Sequence, residues 1–154
     1  MPEPSYLLDT NVAMALLRGQ ELGDYLMQAF SLANQIHRPL ISIVSHGELL
    51  LLADRNKWGE RKLESLNNML NSLVTIDINE PGVLDAYVAV QRDSRAATGG
   101  SRELNHNDAW IVACAHASGA TLLTTDRDFA HLKPPAWNAQ FIDPKPFLHP
   151  TPIS

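Results

Sequence analysis

The stretch Ser5-Tyr6-Leu7-Leu8-Asp9-Thr10-Asn11-Val12-Ala13-Met14 decides the fold, because in it an apolar strand runs directly into a helix. The consecutive apolar residues before Asp9 predict a short buried strand over residues 5–9. Thr10 or Asn11 is expected to cap the following helix, and Gly19 is expected to end it. A strand that leads straight into a helix is a typical unit of a layered α/β structure.

The rest of the chain repeats this alternation of short strands and helices. Further strands are predicted at residues 40–44, 74–78, 121–125 and 139–143. Helices are predicted at residues 24–36, around Glu48 after a cap at Ser45 or His46, and at residues 60–73, 83–97 and 108–117. The pattern favours an α/β fold with a mainly parallel central sheet of four to five strands. Residues 1–154 are expected to form a single domain, with a Pro-rich and partly loose tail from about residue 144.

Composition and charge restrict the class of protein. With 154 residues and a formal net charge of −5, the chain can form a core but has no general attraction for nucleic acid or anionic lipid. Bound cations or a local basic patch can reverse the negative electrostatic potential of an acidic protein at one place on its surface. No apolar run approaches the roughly 20 residues of a spanning helix, and no signal-peptide pattern is present. Cys114 is interpreted as a core residue, so we expect a cytoplasmic protein without a membrane partner.

Four acidic residues lie at the edges of apolar segments, where an ordinary surface charge is unusual. They are Asp9, Glu48, Asp108 and Asp126. Two of them follow predicted strands and two fall in the predicted first turns of helices, so all four are expected at the carboxyl edge of a parallel sheet. Taken singly, each has a simpler role as a helix cap or turn residue. Together they would repel one another, and a bound divalent cation is the usual remedy.

Four motifs carry a resemblance to a known family. In chain order they are Leu7-Leu8-Asp9-Thr10-Asn11-Val12, Ser45-His46-Gly47-Glu48-Leu49, Asn107-Asp108-Ala109-Trp110-Ile111-Val112-Ala113 and Leu122-Leu123-Thr124-Thr125-Asp126-Arg127-Asp128-Phe129. Their order and context resemble the PIN-domain nucleases, and within them the VapC-type toxin ribonucleases of toxin–antitoxin pairs. The resemblance covers residues 6 to about 143 and implies a PIN-like three-layer α/β fold.

The resemblance also implies a site. The acidic quartet around Mg²⁺ or Mn²⁺ would be Asp9, Glu48, Asp108 and Asp126. Asn11 and Thr124 match polar positions that support this pocket. Because the last motif offers two acids, we take Asp126 as the pocket acid and Asp128 as a helix cap.

The activity that the resemblance implies is metal-dependent endonucleolytic cleavage of RNA, which leaves 5′-phosphate and 3′-hydroxyl ends. The implied partner is an antitoxin protein that inhibits the toxin, and we expect the chain to form a homodimer. Leu16, Leu49 and Leu50 are candidate anchors for the antitoxin tail, or belong wholly to the core. Arg92, Arg95 and Arg102 surround the Gly99-Gly100 break, and form either a solvated helix face or a patch that binds RNA phosphates.

Two other functions remain open at the level of sequence. A haloacid-dehalogenase-type phosphatase also begins with an Asp after a strand, but it needs a second Asp two residues on, where this chain has Asn11. A non-enzymatic receiver-like signalling domain would bind Mg²⁺ with acids at strand ends. It expects a lysine after its last strand, and Lys133 fits poorly because Pro134-Pro135 follows it.

Overall fold

A computed structural model describes residues 4–34 and 36–148 of the chain. In chain order its strands and α-helices are β1 (Tyr6–Leu8), α1 (Thr10–Arg18), α2 (Glu21–Ala29), β2 (Leu40–Ser42), α3 (Ile43–Arg55), α4 (Glu60–Ser72), β3 (Val74–Ile76), α5 (Val83–Thr98), α6 (His106–Ala117), β4 (Thr121–Thr124) and β5 (Ala139–Phe141). Short 3-10 helices cover Arg127–Phe129 and Lys145–Phe147. Within these two described ranges, no helix is both long and apolar enough to cross a membrane.

The five strands form one sheet in the order β3-β2-β1-β4-β5, and every neighbouring pair is parallel. This confirms the predicted α/β class and the parallel sheet. The chain runs from β1 to β2 and β3 on one side of the sheet, and later reaches β4 and β5 on the other side. In parallel sheets, ligand sites form outside the carboxyl ends of the strands where this change of direction occurs. The end of β1 beside β4 is therefore the place to look for a site.

The core lies on both faces of the sheet, which gives the three predicted layers. Leu7 and Leu8 are neighbours on the central strand, and both are completely buried. Because successive strand residues point to opposite faces, Leu7 packs in a cluster with α5 and α6, and Leu8 packs in a second cluster with α1 to α4. Burying a leucine contributes about 1.5–3 kcal/mol relative to leaving it exposed.

The first helix begins one residue earlier than the sequence indicates. Asp9 is its N-cap, with an extended backbone, and its side chain accepts a hydrogen bond from Thr10 N. The prediction of Thr10 or Asn11 as the cap is therefore wrong. Gly19 does end the helix, as predicted, with φ of 62°.

The second strand is shorter than predicted, because α3 already begins at Ile43. Ser42 caps α3, and its Oγ accepts a hydrogen bond from Val44 N at 3.1 Å. The predicted cap at Ser45 or His46 is wrong, and Glu48 lies in the second turn of the helix rather than the first. A satisfied cap and packing on the sheet outweigh the weak β preference of the β-branched residues.

The helix predicted over residues 24–36 is also wrong in its bounds, because α2 covers Glu21–Ala29. Gly23 allows α2 to pack closely against α1, because a Cβ atom there would lie only 2.5 Å from Ala15 O. The chain then turns, and Ser31 has φ of 53°. Ile36, which continued the apolar spacing in the sequence, is 85% exposed. Of the tail predicted from about residue 144, Lys145–Phe147 form a short 3-10 helix, and the ring of Phe147 lies 5.1 Å from that of Tyr25. Residues 149–154 lie outside the described residues.

Candidate functional site

Asp9 is a buried carboxylate at the end of the central strand, only 4% exposed. Its Oδ1 accepts a 2.8 Å hydrogen bond from Thr10 N, and its Oδ2 accepts a 2.7 Å hydrogen bond from the Thr124 hydroxyl. The same hydroxyl accepts a hydrogen bond from Asp126 N at 3.0 Å. Thr124 thus fixes Asp9 and the start of the Asp126 loop together, at the junction of β1 and β4.

Thr10 links Asp9, at the end of β1, to Glu48, which lies in α3. The Thr10 hydroxyl donates to Glu48 Oε1 at 2.8 Å, and Ser45 Oγ lies 2.8 Å from the same hydroxyl. One residue therefore contacts Asp9 through its backbone and Glu48 through its side chain. Sequence reasoning missed this role, because a threonine after a strand is usually a helix cap.

Asp108 lies in the first turn of α6 and is held by the cap of that helix. Asn105 Oδ1 accepts a hydrogen bond from Asp108 N at 2.8 Å, and Asn105 Nδ2 donates to Asp108 Oδ2 at 3.0 Å. This reciprocal pair resembles a capping box, in which the cap and a residue of the first turn satisfy each other. The carboxylate is therefore oriented by its own helix.

Asp126 and Asp128 lie at the short 3-10 helix after β4. Asp126 is the cap of that helix, because its Oδ1 accepts a hydrogen bond from Asp128 N at 2.9 Å. The interpretation of Asp128 as the cap is therefore wrong. Carboxylate oxygens of Asp108, Asp126 and Asp128 lie within 4.8 Å of one another. Both acids of the last motif thus lie close to Asp108. Of these two, only Asp126 was assigned to the pocket from the sequence.

The acids perturb one another strongly. Burial raises the pKa of Asp9, and the charges of Asp126 and Glu48 raise it further, while hydrogen bonds from Thr124 and Thr10 act in the opposite direction. Burial also raises the pKa of Asp108 to about 7, with additional repulsion first from Asp9 and then from the other acids. The charges of Asp9, Glu48 and Asp126 all act on Asp108, so the four predicted acids lie near one another at this edge of the sheet.

This donor set suits a hard divalent cation. It consists of carboxylate oxygens, which Mg²⁺ and Mn²⁺ prefer. A cation would offset the repulsion that raises the pKa of Asp108, and a buried carboxylate such as Asp9 is costly without a positive partner. Asp9, Glu48, Asp108 and Asp126 could hold such an ion, with Asp128 as a further donor.

A cavity of about 810 Å³ opens beside the acids. Asp108 and Asp128 line it together with three cationic residues, Arg102, Arg127 and Lys133. Among the predicted arginines, only Arg102 is part of this lining; Arg92 and Arg95 are exposed on α5, and their role in RNA binding stays a prediction. Arg127 and Lys133 were missed, although Arg127 stands next to Asp126 in the sequence and could have been noticed there.

A buried serine holds the wall of this cavity together. Ser94 of α5 is fully buried, and its Oγ accepts a hydrogen bond from Leu104 N at 2.9 Å and lies 2.7 Å from His131 Nε2. Burial lowers the pKa of His131. The Ser94 hydroxyl therefore connects α5, the loop that carries Arg102 and the segment between Arg127 and Lys133. Nothing in the sequence pattern distinguishes this serine from other helix residues.

The remaining predicted residues are placed less centrally. Asn11 is exposed, and its supporting role in the pocket stays a prediction. Leu49 is completely buried, so it cannot anchor a partner and belongs to the core. Leu50 is 45% exposed and Leu16 is partly buried.

The fold and the acidic edge define an α/β domain with a carboxylate-rich candidate site at the ends of parallel strands. Residues 6–133 match a family model described as PIN domain. The chain belongs to the PIN domain family, which confirms the resemblance drawn from the four motifs. No curated protein sequence matches the chain.

Solved structures share this fold at low sequence identity. The VapBC2 complex from Rickettsia felis, bound to a DNA fragment from its promoter, is similar with a TM-score of 0.70 and 22% identity, covering 88% of this chain and 97% of that chain. A DNA-bound VapBC from Salmonella typhimurium is similar with a TM-score of 0.70 and 21% identity, covering 90% and 98%. VapBC-5 from Mycobacterium tuberculosis, a member of the VapBC family of toxin-antitoxin systems, has a TM-score of 0.61 and 20% identity, covering 92% and 100%.

Proposed function

We propose that this protein is a metal-dependent endoribonuclease and the toxin of a type II toxin–antitoxin pair, of the VapC type. The observation that carries the proposal is the cluster of the Asp108, Asp126 and Asp128 carboxylates near the buried Asp9, with the pKa of Asp108 raised by burial and by these charges to about 7. Such perturbed carboxylates in a cavity are typical of functional sites. Membership in the PIN domain family supports the assignment of nuclease chemistry.

In this proposal Asp9 and Asp108 bind Mg²⁺ or Mn²⁺, and Glu48 and Asp126 complete the site directly or through water. When bound, the cation lowers the pKa of a water molecule and stabilises the charge that develops on the phosphate. Glu48, fixed through Oε1 by Thr10, or Asp126 orients the attacking water by accepting a hydrogen bond from it. In-line attack then leaves 5′-phosphate and 3′-hydroxyl ends.

The substrate binds through the cationic wall of the cavity. Arg102, Arg127 and Lys133 line the same cavity as Asp108 and Asp128, and the Arg127 guanidinium also lies 4.5 Å from the centre of the Phe141 ring. Because the chain is acidic overall, RNA phosphates need such a local patch to overcome general repulsion. The proposal therefore divides the cavity into an acidic part, where cleavage occurs, and a cationic part, where the RNA backbone is held.

The proposed partner is an antitoxin, since the similar structures include VapBC complexes and a member of the VapBC family of toxin-antitoxin systems. A basic side chain of the partner could replace the cation among the acids and so block cleavage. The exposed Leu50 of α3 is a candidate apolar contact for the partner. We also propose a homodimer and a cytoplasmic location, as expected from the sequence.

Incubation of the purified protein with single-stranded and structured RNA tests the nuclease, with Mg²⁺, Mn²⁺ or chelator present. We expect endonucleolytic products with 5′-phosphate ends, formed only with metal. An Asp9→Asn variant should be inactive, and an Asp24→Asn variant, changed at an exposed acid of α2, should be as active as the wild type. Cleavage in chelator, or hydrolysis of a small phosphate ester without RNA cleavage, contradicts the proposal.

A further inference from the structure

A second cavity of about 460 Å³ adjoins the first one. Its lining consists of Tyr87, Gln91, Glu103, Leu104 and His106. Glu103 and Leu104 line both cavities. An RNA strand that runs from the acidic cluster along the loop between α5 and α6 would therefore enter this second cavity directly. The proposed function does not use it.

The second cavity contains a fixed aromatic surface. Tyr87 stacks on Trp110 with 3.7 Å between the ring centroids, and the Tyr87 hydroxyl lies 2.7 Å from His106 Nδ1. His106 itself is exposed at the start of α6. Its ring is thus held in one orientation by a hydrogen bond and yet accessible from outside. Unstacked bases of single-stranded RNA bind to aromatic rings held in this way.

The same cavity carries acceptors for hydrogen bonds. Glu103 offers an exposed carboxylate, which accepts and does not donate when ionised. Gln91 Oε1 is buried and has no hydrogen-bond partner among the described residues. A buried acceptor without a partner is costly, which marks Gln91 as an unusual residue in the wall of this cavity.

We propose that this second cavity is a guanine-binding subsite for the nucleotide next to the cleaved phosphate. The inference rests on the proposed ribonuclease function and adds a base preference to it. The base stacks on His106, and its Watson–Crick edge meets the Glu103 carboxylate.

Guanine is the only RNA base with two adjacent donors on its Watson–Crick edge, the N1–H and the 2-amino group. A carboxylate accepts both hydrogen bonds at once, as it does from a guanidinium group. Adenine and cytosine present a ring acceptor beside their amino group, and uracil presents one donor between two carbonyl oxygens. Each of these bases would bring a lone pair against the negative charge of Glu103, which discriminates against it.

The experiment maps cleavage sites of the full-length protein on an RNA with a randomised single-stranded region, in the presence of Mn²⁺. We expect guanine at one fixed position next to the cut, favoured over each other base by about tenfold to a hundredfold, the range of a good bidentate base contact. Inosine, which lacks the 2-amino group, should lose part of this preference. Glu103→Gln should abolish the preference for guanine, and because Glu103 is exposed the variant should fold normally. Glu64→Gln, at an exposed position of α4 outside both cavities, is the matched control and should keep the wild-type pattern.

The outcomes separate the subsite from the proposed function. Cleavage without an enriched base, enrichment of another base, or a guanine preference that persists in Glu103→Gln overturns the subsite and leaves the ribonuclease standing. A wild type that cleaves no RNA overturns both proposals. A preference lost in Glu103→Gln and weakened in His106→Ala, with the remaining cleavage spread over all four bases, supports the subsite.

Discussion

The Thr124 hydroxyl donates a 2.7 Å hydrogen bond to Asp9 Oδ2, which joins the ends of two neighbouring strands at the candidate metal site. Thr124 is itself buried, and its hydroxyl also accepts from Asp126 N. The Asp9 carboxylate is therefore oriented by Thr124 on one oxygen and by Thr10 N on the other. Such supporting contacts commonly determine how well a carboxylate binds a metal.

Replacing Thr124 with Val should weaken metal binding about 10- to 100-fold, the usual effect of losing a supporting hydrogen bond. The contact lowers the pKa of Asp9, so its loss raises that pKa further and favours the protonated, non-binding carboxyl. The dissociation constant for Mn²⁺ measures the effect. Thr124→Ser keeps the hydroxyl and should restore most of the affinity. Equal affinities in Val and Ser variants would show that the hydroxyl does not matter.

Asp108 should make the metal-free protein less stable as the pH rises. Its pKa is about 7 in the folded state and near 3.8 when unfolded. Between these values the folded chain holds a proton that the unfolded chain has released, so a rising pH favours unfolding. In chelator and above about pH 7, Asp108→Asn should therefore have a higher melting temperature than the wild type. At about pH 4 the two proteins should have the same melting temperature. A difference independent of pH would contradict the raised pKa.

Arg102→Ala should weaken RNA binding and lower the slope of log affinity against log salt by about one unit or less. The reason is its position in the cavity beside Asp108. Arg95→Ala is the matched comparison, because Arg95 is an exposed arginine of α5 that does not line this cavity. Binding measured at several salt concentrations separates the two. A larger effect from Arg95 would place the RNA on the outer face of α5 instead.

Ser94→Ala should raise KM severalfold with little change in kcat, because it releases the loop and segment that carry the cationic wall. The substitution leaves Leu104 N without its acceptor, which costs about 1–3 kcal/mol of folding stability. Val90→Ala, at a fully buried position of the same helix, controls for the loss of stability alone. If both variants change KM equally at a temperature where they are folded, Ser94 has only a structural role.

The sequence predicted those features that depend on local pattern. The strand before Asp9 and the parallel sheet followed from apolar periodicity and from the alternation of strands and helices. The start of α3 at Ile43 did not, because the side chain of Ser42 caps that helix, and the bounds of α2 at Glu21 and Ala29 were not predicted either. Contacts between residues far apart in the chain, such as Thr10 with Glu48 or Ser94 with His131, leave no periodic signal. Asp9 and Asp126 were recognisable in the sequence because a carboxylate is rare at the end of a buried strand, whereas Glu48 and Asp108 lie on helices.

The most direct test of the central claim is a calorimetric titration of Mn²⁺ into the metal-free protein at about pH 8, above the pKa of about 7 for Asp108. The account predicts saturable binding by the wild type, with the heat near pH 7 depending on the buffer because Asp108 releases a proton. Asp9→Asn and Asp108→Asn should bind at least about tenfold more weakly, and Asp24→Asn should bind like the wild type. No saturable heat up to about 10 mM Mn²⁺, or equal affinity in Asp108→Asn, would contradict a metal site formed by these acids.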